Sequence, residues 1–322
     1  MDKQQLDEII DCQPDERLRY WYFRDRYALI LLGLAARHGV PVATLKRSPL
    51  AGLLNKPLVK ELLAGLGDGV LSQAHCQAVW PLDTREFILT LDRWGGEDRS
   101  WQQTCRPGWN LVLQLNFTSA HGQAMQRLLK TRQRAVFNFG GHPVVEPGPD
   151  EAPRDTLAWA RIDLDWEHNE ALIEEIQSDW VREALHTRDH YKRHARRRAP
   201  RYWWGDGEGL ERYCAEQLGA YTRLWSEAML GAALEFIHRD LGIGTVYYHS
   251  FDTGAALKGI QHSLPPRSLY SELPRRFCFQ PCQAPPRFLA RGLRKRLAKL
   301  RKPLWYRLDL RGLGAPGEAD GR

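Results

Sequence analysis

Between Leu224 and Leu241 the chain reads LWSEAMLGAALEFIHRDL, and this stretch limits the possible folds more than any other. Leu224, Ala228, Ala232 and Phe236 form one row at helical spacing; Trp225, Met229, Ala233, Ile237 and Leu241 form the next. The two rows make one broad apolar face, which a helix must bury against another layer. Gly242 stands where such a helix ends, and Ile243–Ser250 (IGTVYYHS) then reads as a strand. Upstream, Thr156–Leu164 (TLAWARIDL) and Ala171–Trp180 alternate as strands, separated by a connection short enough for an antiparallel hairpin. Strand, long helix and strand form a crossover, which places 243–250 parallel to 171–180. The expected class is α+β, with a mixed sheet and flanking helices.

The rest of the chain extends this plan. Asn110–Phe117 (NLVLQLNF) reads as a strand, and Ser119 caps a helix running to about Thr131. Ala135–Phe139 reads as a short strand ended by Gly140-Gly141, with a loop over His142–Arg154. Thr253–Ile260 reads as a short helix and Arg276–Gln280 as a last strand. The N-terminal part looks helical: Leu18–His38, a short helix after Val40-Pro41, and Pro57–Leu66, followed by a strand at Glu86–Leu91. That order admits a winged-helix-like unit with Lys56 and Lys60 on its third helix. The expected organisation is a helical region over residues 1–75, an α+β unit over 76–285, and a basic amphipathic helix with a disordered tail over 286–322.

Bulk properties exclude some classes. No apolar run approaches the roughly 20 residues of a membrane span; the longest, Tyr27–Ala36, is about half that. The start, MDKQQLDEII, is polar and acidic, unlike a secretory leader. Six cysteines are scattered, with only Cys278 and Cys282 close together, so paired zinc clusters are not expected. Reduced thiols and a cytoplasmic location follow as expectations. His186, His190 and His194 fall on one helix face, but among arginines that repel a cation, so no metal site is assigned.

The chemistry centres on EALIEEIQSDWVREA, residues 170–184. On an uninterrupted strand, Leu172, Glu174, Ile176, Ser178 and Trp180 share one face, and Ile173, Glu175, Gln177 and Asp179 the other. Glu174 then sits partly buried between apolar neighbours, and the opposite face is a polar row. With the parallel crossover, Asp179 and Trp180 end at the same sheet edge as His249 and Ser250, where ligands of such sheets bind. His249 with Asp179 or Asp252 is a candidate acid–base pair, so the candidate catalytic residues are Glu174, Asp179 and His249. Structural alternatives stand beside this: Asp252 as a helix cap, His249 as a surface histidine, and Glu174 paired with Arg161 on the neighbouring strand.

Positive charge, +7 overall, is concentrated in two runs. The first, His186–Tyr202, carries Arg196, Arg197 and Arg198 next to Tyr202, Trp203 and Trp204. Arginines neutralise phosphates and aromatics stack on unpaired bases, so Arg196, Arg197, Arg198 and Trp203 are candidate nucleic-acid contacts. In the second, Phe288, Leu289, Leu293, Leu297 and Leu300 fall on one side and Arg/Lys on the other. Such a helix docks on the protein body, an anionic membrane or nucleic acid, and the body is preferred.

Thr156–Arg161 (TLAWAR), Leu172–Trp180 (LIEEIQSDW) and Leu224–Tyr248 resemble a domain of large polyvalent proteins of bacteriophages, over about a third of the chain. The phage versions continue after the tryptophan with a glutamine and a glycine-containing basic segment; this chain runs Val181-Arg182-Glu183-Ala184 instead. The order of elements is also similar to the GNAT acyltransferase fold. That likeness implies acyl-CoA as cofactor and an acyltransferase acting on a small-molecule or protein substrate. In that family a Q/R-x-x-G-x-G/A loop at the long helix holds pyrophosphate. Here Gly205, Gly207 and Gly209 lack that spacing, and Ala220–Arg223 holds no glycine. Two expectations therefore stand: an acyl-CoA-dependent acyltransferase, or a non-catalytic, nucleic-acid-associated protein on a degenerate enzyme fold.

Overall fold

The computed structural model describes residues 1–12, 18–96, 103–144, 154–194, 205–260, 265–289, 297, 300 and 303–313. Its strands are β1 (Leu18–Tyr22), β2 (Val40–Pro41), β3 (Val70–Leu71), β4 (Arg85–Gly96), β5 (Gly108–Asn116), β6 (Thr156–Asp165), β7 (Glu170–Gln177), β8 (Thr245–His249), β9 (Gln280–Cys282) and β10 (Trp305–Asp309). Eight of them form one mixed sheet in the order β1-β4-β5-β6-β7-β8-β10-β9, and β2 and β3 pair separately. The β6–β7 hairpin is antiparallel, and β7 and β8 are parallel, as the crossover requires. The class is α+β.

The helix Gly219–Glu235 continues through a wider turn, Phe236–Asp240, and stops at Gly242, which takes φ +71°. Ala228 to Leu234 are buried without a break, because this helix lies between the sheet and the helix Arg26–Ala35. Gly231 sits where the approach is tight: a Cβ there would lie 3.0 Å from Tyr20 Oη and 3.2 Å from Tyr22. One sheet face, carrying Leu113, Leu115, Ile162, Ile173, Ile176, Val246 and Tyr248, closes the main core. The other face carries a smaller apolar cluster of Leu172, Tyr247 and Trp305 with Cys105, Leu257 and Leu289.

Several local expectations change. The helix expected from Leu18 begins only at Arg26; Leu18–Tyr22 is a strand. Its aromatics alternate, with Tyr20 and Tyr22 buried and Trp21 exposed, and a strand satisfies that pattern where a helix cannot. This strand pairs with β4, so sheet and core cross the boundary expected near residue 75. Ala135–Phe139 forms no strand: Ala135 takes φ +53°, and the turn drives Val136 and Phe137 into the core. The strand expected at Arg276–Gln280 is displaced to Gln280–Cys282, because the helix Ser268–Arg276 runs on and Cys278 takes φ +61°. β10 lies in a segment where no strand was expected. Leu289 and Leu297 pack against the smaller cluster, so the described part of that basic segment docks on the body.

One core group gives the fold a defined response to acid. The ring of His121 stacks on Phe117 with centroids 3.6 Å apart, and burial lowers its pKa from 6.5 to about 3. The unfolded chain takes up this proton below about pH 6.5 while the folded core refuses it until about pH 3. The contribution to stability is therefore complete above pH 6.5 and is lost as pH falls toward 3. The melting temperature should fall over that window, and His121→Phe should flatten the fall. Thermal melts across the window would contradict this assignment if the variant kept the same slope.

Candidate active site

The connection between β6 and β7 creates the site. Arg161 pairs with Glu175 and Ile162 with Ile173, so Glu174 is an extra residue, a β-bulge. An uninterrupted strand would send Glu174 and Glu175 to opposite faces. The bulge brings both to the face of Leu172 and Gln177, opposite the main core, while Ile173 and Ile176 stay in that core. Glu175 forms an ion pair with Arg161 and a second with Lys258 Nζ at 3.5 Å; Lys258 also donates to the Glu174 carbonyl at 3.1 Å. All four residues are buried. Burial alone would raise the Glu175 carboxyl, but Lys258 and Arg161 outweigh it and hold the pKa below its ordinary value. The expected pairing of Glu174 with Arg161 thus falls to Glu175, one residue on.

Next to this group a cleft of about 930 Å³ opens at the carboxyl end of β7, lined by Trp94, Trp159, Arg161, Glu175, Gln177 and His142 among others. Asp179 is not a strand residue: it opens the helix Asp179–His194, and Ser178 Oγ accepts from the Val181 amide at 3.1 Å. This turn moves the Asp179 carboxylate out of the expected polar row and against His142, whose Nδ1 lies 2.9 Å from both carboxylate oxygens. Trp159 Nε1 donates to the same carboxylate at 3.0 Å, Gln177 Nε2 at 2.6 Å and Arg182 Nη2 at 2.5 Å. Burial favours the protonated acid, but bonds from His142, Trp159 and Gln177 more than offset it and lower the pKa. Asp179 is thus an anion held in place from four sides, and it orients an imidazole that is partly exposed at the cleft.

The sequence pairs His249 with Asp179 or Asp252; in the structure its ring meets Glu174 and Cys105 instead. It is fully buried, with Nε2 3.3 Å from Glu174 Oε2 and 3.2 Å from Cys105 Sγ. The Cys105 amide donates to Glu174 Oε1 at 3.0 Å. Burial would raise the Glu174 carboxyl, yet His249, Arg161 and Cys105 bring it down to about 2. His249 is lowered, first by burial, and Cys105 is raised well above its ordinary value, again first by burial. The group stands as a carboxylate beside a neutral ring and a neutral thiol. The cap of the following helix is Ser250, which accepts from the Thr253 amide, not Asp252.

Three candidate residues thus divide between two places: Asp179 buried behind the cleft wall, and Glu174 and His249 buried with Cys105. His142 and Cys105 escaped the sequence reading because both lie outside strands and helices, where no periodicity marks a functional side chain. Arg196, Arg197, Arg198 and Trp203 lie outside the described residues. In the described part of that helix, Arg188 pairs with Asp189, Lys192 approaches Glu211 at 3.9 Å, and His190 stacks on His194. A smaller cleft of about 480 Å³ lies beside β1; of its charged groups, Arg26 and Arg239 both pair with Glu235, and Arg19 pairs with Glu86. Among the described residues, no helix is long and apolar enough to cross a membrane. No known protein family, curated protein or solved structure matches the chain.

The Asp179 network has a measurable signature. A carboxyl whose folded pKa is depressed contributes stability above its unfolded value, near pH 4, and loses it as pH falls through the folded value. Asp179→Asn should cost about 1–3 kcal/mol at neutral pH, the usual penalty for unmaking charge-assisted bonds to a buried group. The gap between variant and native protein should close in acid. Urea unfolding at several pH values checks this, and a gap independent of pH would remove Asp179 as an ionised anchor.

Proposed function

We propose that the protein is an acyltransferase-type enzyme in which His142, oriented by Asp179, is the general base. The observation that carries this reading is the dyad at the cleft wall: an anion buried and bonded from four sides, holding a partly exposed imidazole. Nδ1 is occupied by Asp179, so Nε2 is the nitrogen left for a substrate proton. In acyl transfer the base would take the proton of an attacking amine or hydroxyl. The new bond forms at the thioester carbonyl, the C–S bond breaks, and the proton passes to the departing thiolate of coenzyme A.

Acyl-CoA is the donor to test first. The support is the part of the element order that formed, β5, a helix, the β6–β7 hairpin, the long helix and β8, with the parallel pair β7–β8, whose pairing covers only Glu170–Ile173 against Thr245–Tyr248 and stops at the bulge. Against pyrophosphate at the helix after β7 stands Asp179, a carboxylate in its first turn with no glycine loop before it. The reading therefore rests on the dyad and not on a phosphate site. The nucleic-acid alternative rests on Arg196, Arg197, Arg198 and Trp203; the described basic residues of the same helix include two, Arg188 and Lys192, that have acidic neighbours.

Thermal-shift titration of the full chain with acetyl-CoA and longer acyl-CoAs should give a saturable rise in melting temperature. His142→Ala should keep that rise and lower transfer to an amine acceptor by about a hundredfold or more. No rise at millimolar acyl-CoA, or unchanged turnover in His142→Ala, would overturn the reading. Salt-dependent binding to single-stranded nucleic acid that is lost on neutralising Arg196, Arg197 and Arg198 would favour the alternative.

A further inference from the structure

Cys105, Glu174 and His249 are all buried, and their donor atoms lie within 4.8 Å of one another. Two arrangements have these residue types at hydrogen-bond range. A catalytic relay passes a proton through the imidazole, so the thiol and the carboxylate must meet different ring nitrogens. Here both face Nε2, at 3.2 and 3.3 Å, while Nδ1 has no hydrogen-bond partner among the described residues. One ring nitrogen carries at most one hydrogen, so it cannot serve as the two ends of a relay. Three donors converging on one point are instead the arrangement of metal ligands.

The spacing agrees. In a tetrahedral zinc site with bonds of about 2.0–2.3 Å, neighbouring donors stand roughly 3.3–3.6 Å apart. We propose that Cys105, Glu174 and His249 bind a zinc ion, through Sγ, a carboxylate oxygen and Nε2. A thiolate and a carboxylate cancel the charge of the ion, and sulfur with imidazole selects zinc over magnesium or calcium. On binding, the Cys105 thiol releases its proton to solvent and its sulfur pair forms the bond to zinc. The Cys105 amide bonded to Glu174 Oε1 fixes the carboxylate from outside the ligand set.

The location gives the ion a role. Pairing between β7 and β8 ends at Ile173 and Tyr248. Glu174 and His249 are the next residues on each strand, and Cys105 precedes β5. The ion fastens the two parallel strands where their ladder stops and ties down the segment leading into β5. This places it beside the cleft wall without making it part of the acid–base dyad, and it does not depend on the proposed acyl transfer.

The test uses the purified full chain, stripped with a chelator and titrated with zinc, then with cobalt as an optical substitute. One zinc per chain and a saturable rise in melting temperature are expected, with a thiolate-to-cobalt charge-transfer band. Asp165, Glu167 and His168 form another, more exposed group that offers no sulfur, so metal held there gives no such band. Cys105→Ser should abolish the band and weaken zinc binding by about a hundredfold; Glu174→Gln, which keeps an acceptor for the Cys105 amide, should weaken it too. Cys12→Ser, at an exposed cysteine, should leave the band intact. If native protein took up no zinc and did not change in melting temperature, the proposal would fail whatever the variants did. A band persisting in folded Cys105→Ser would overturn it as well.

Discussion

The bulge at Glu174 places two consecutive carboxylates on one buried face, and the surroundings of that face follow from the need to compensate them. An uncompensated buried carboxylate costs several kcal/mol. Glu175 is offset by Arg161 from β6 and Lys258 from the helix after β8, and Glu174 by the Cys105 amide and His249. Each partner comes from a different element. The electrostatic requirement of two residues therefore ties β6, β7, β8, the segment before β5 and the helix Phe251–Lys258 together.

The two faces of the sheet are stabilised by different physics. Under the helix Gly219–Glu235 the surface is apolar and tightly approached, as at Gly231, and its cohesion comes from removing that surface from water. Among the described residues the opposite face has a smaller apolar cluster, and its interior is held by charge compensation and hydrogen bonds. That division explains where the cleft opens. A face organised by polar groups can leave some of them at a solvent-facing wall, and Gln177, Arg182 and Asp179 position His142 there.

Much of the framework was legible locally. The rows of the long helix, Gly242 as its stop, the β6–β7 hairpin and the parallel β8 all follow from spacing and turn residues. The errors have physical causes too. The aromatics of Leu18–Tyr22 also fit a helical apolar row, and pairing with β4 selects the strand. Ala135–Phe139 has the β-branched and aromatic content of a strand, but a positive φ at Ala135 breaks the extension.

For the site, the sequence by itself determined the class of side chain: Glu174, Glu175, Gln177 and Asp179 crowd a strand end, and a central strand does not carry such residues without partners. It also determined that His249 ends a parallel neighbour. What it left open was which acid meets which base. That was decided by tertiary structure, because one extra residue turns Glu174 onto the face of Glu175, and a helix starting at Asp179 redirects its carboxylate. The partners His142 and Cys105 arrive from irregular segments distant in sequence. Periodicity records which side of an element a residue faces; it holds no record of what a distant loop brings to that side.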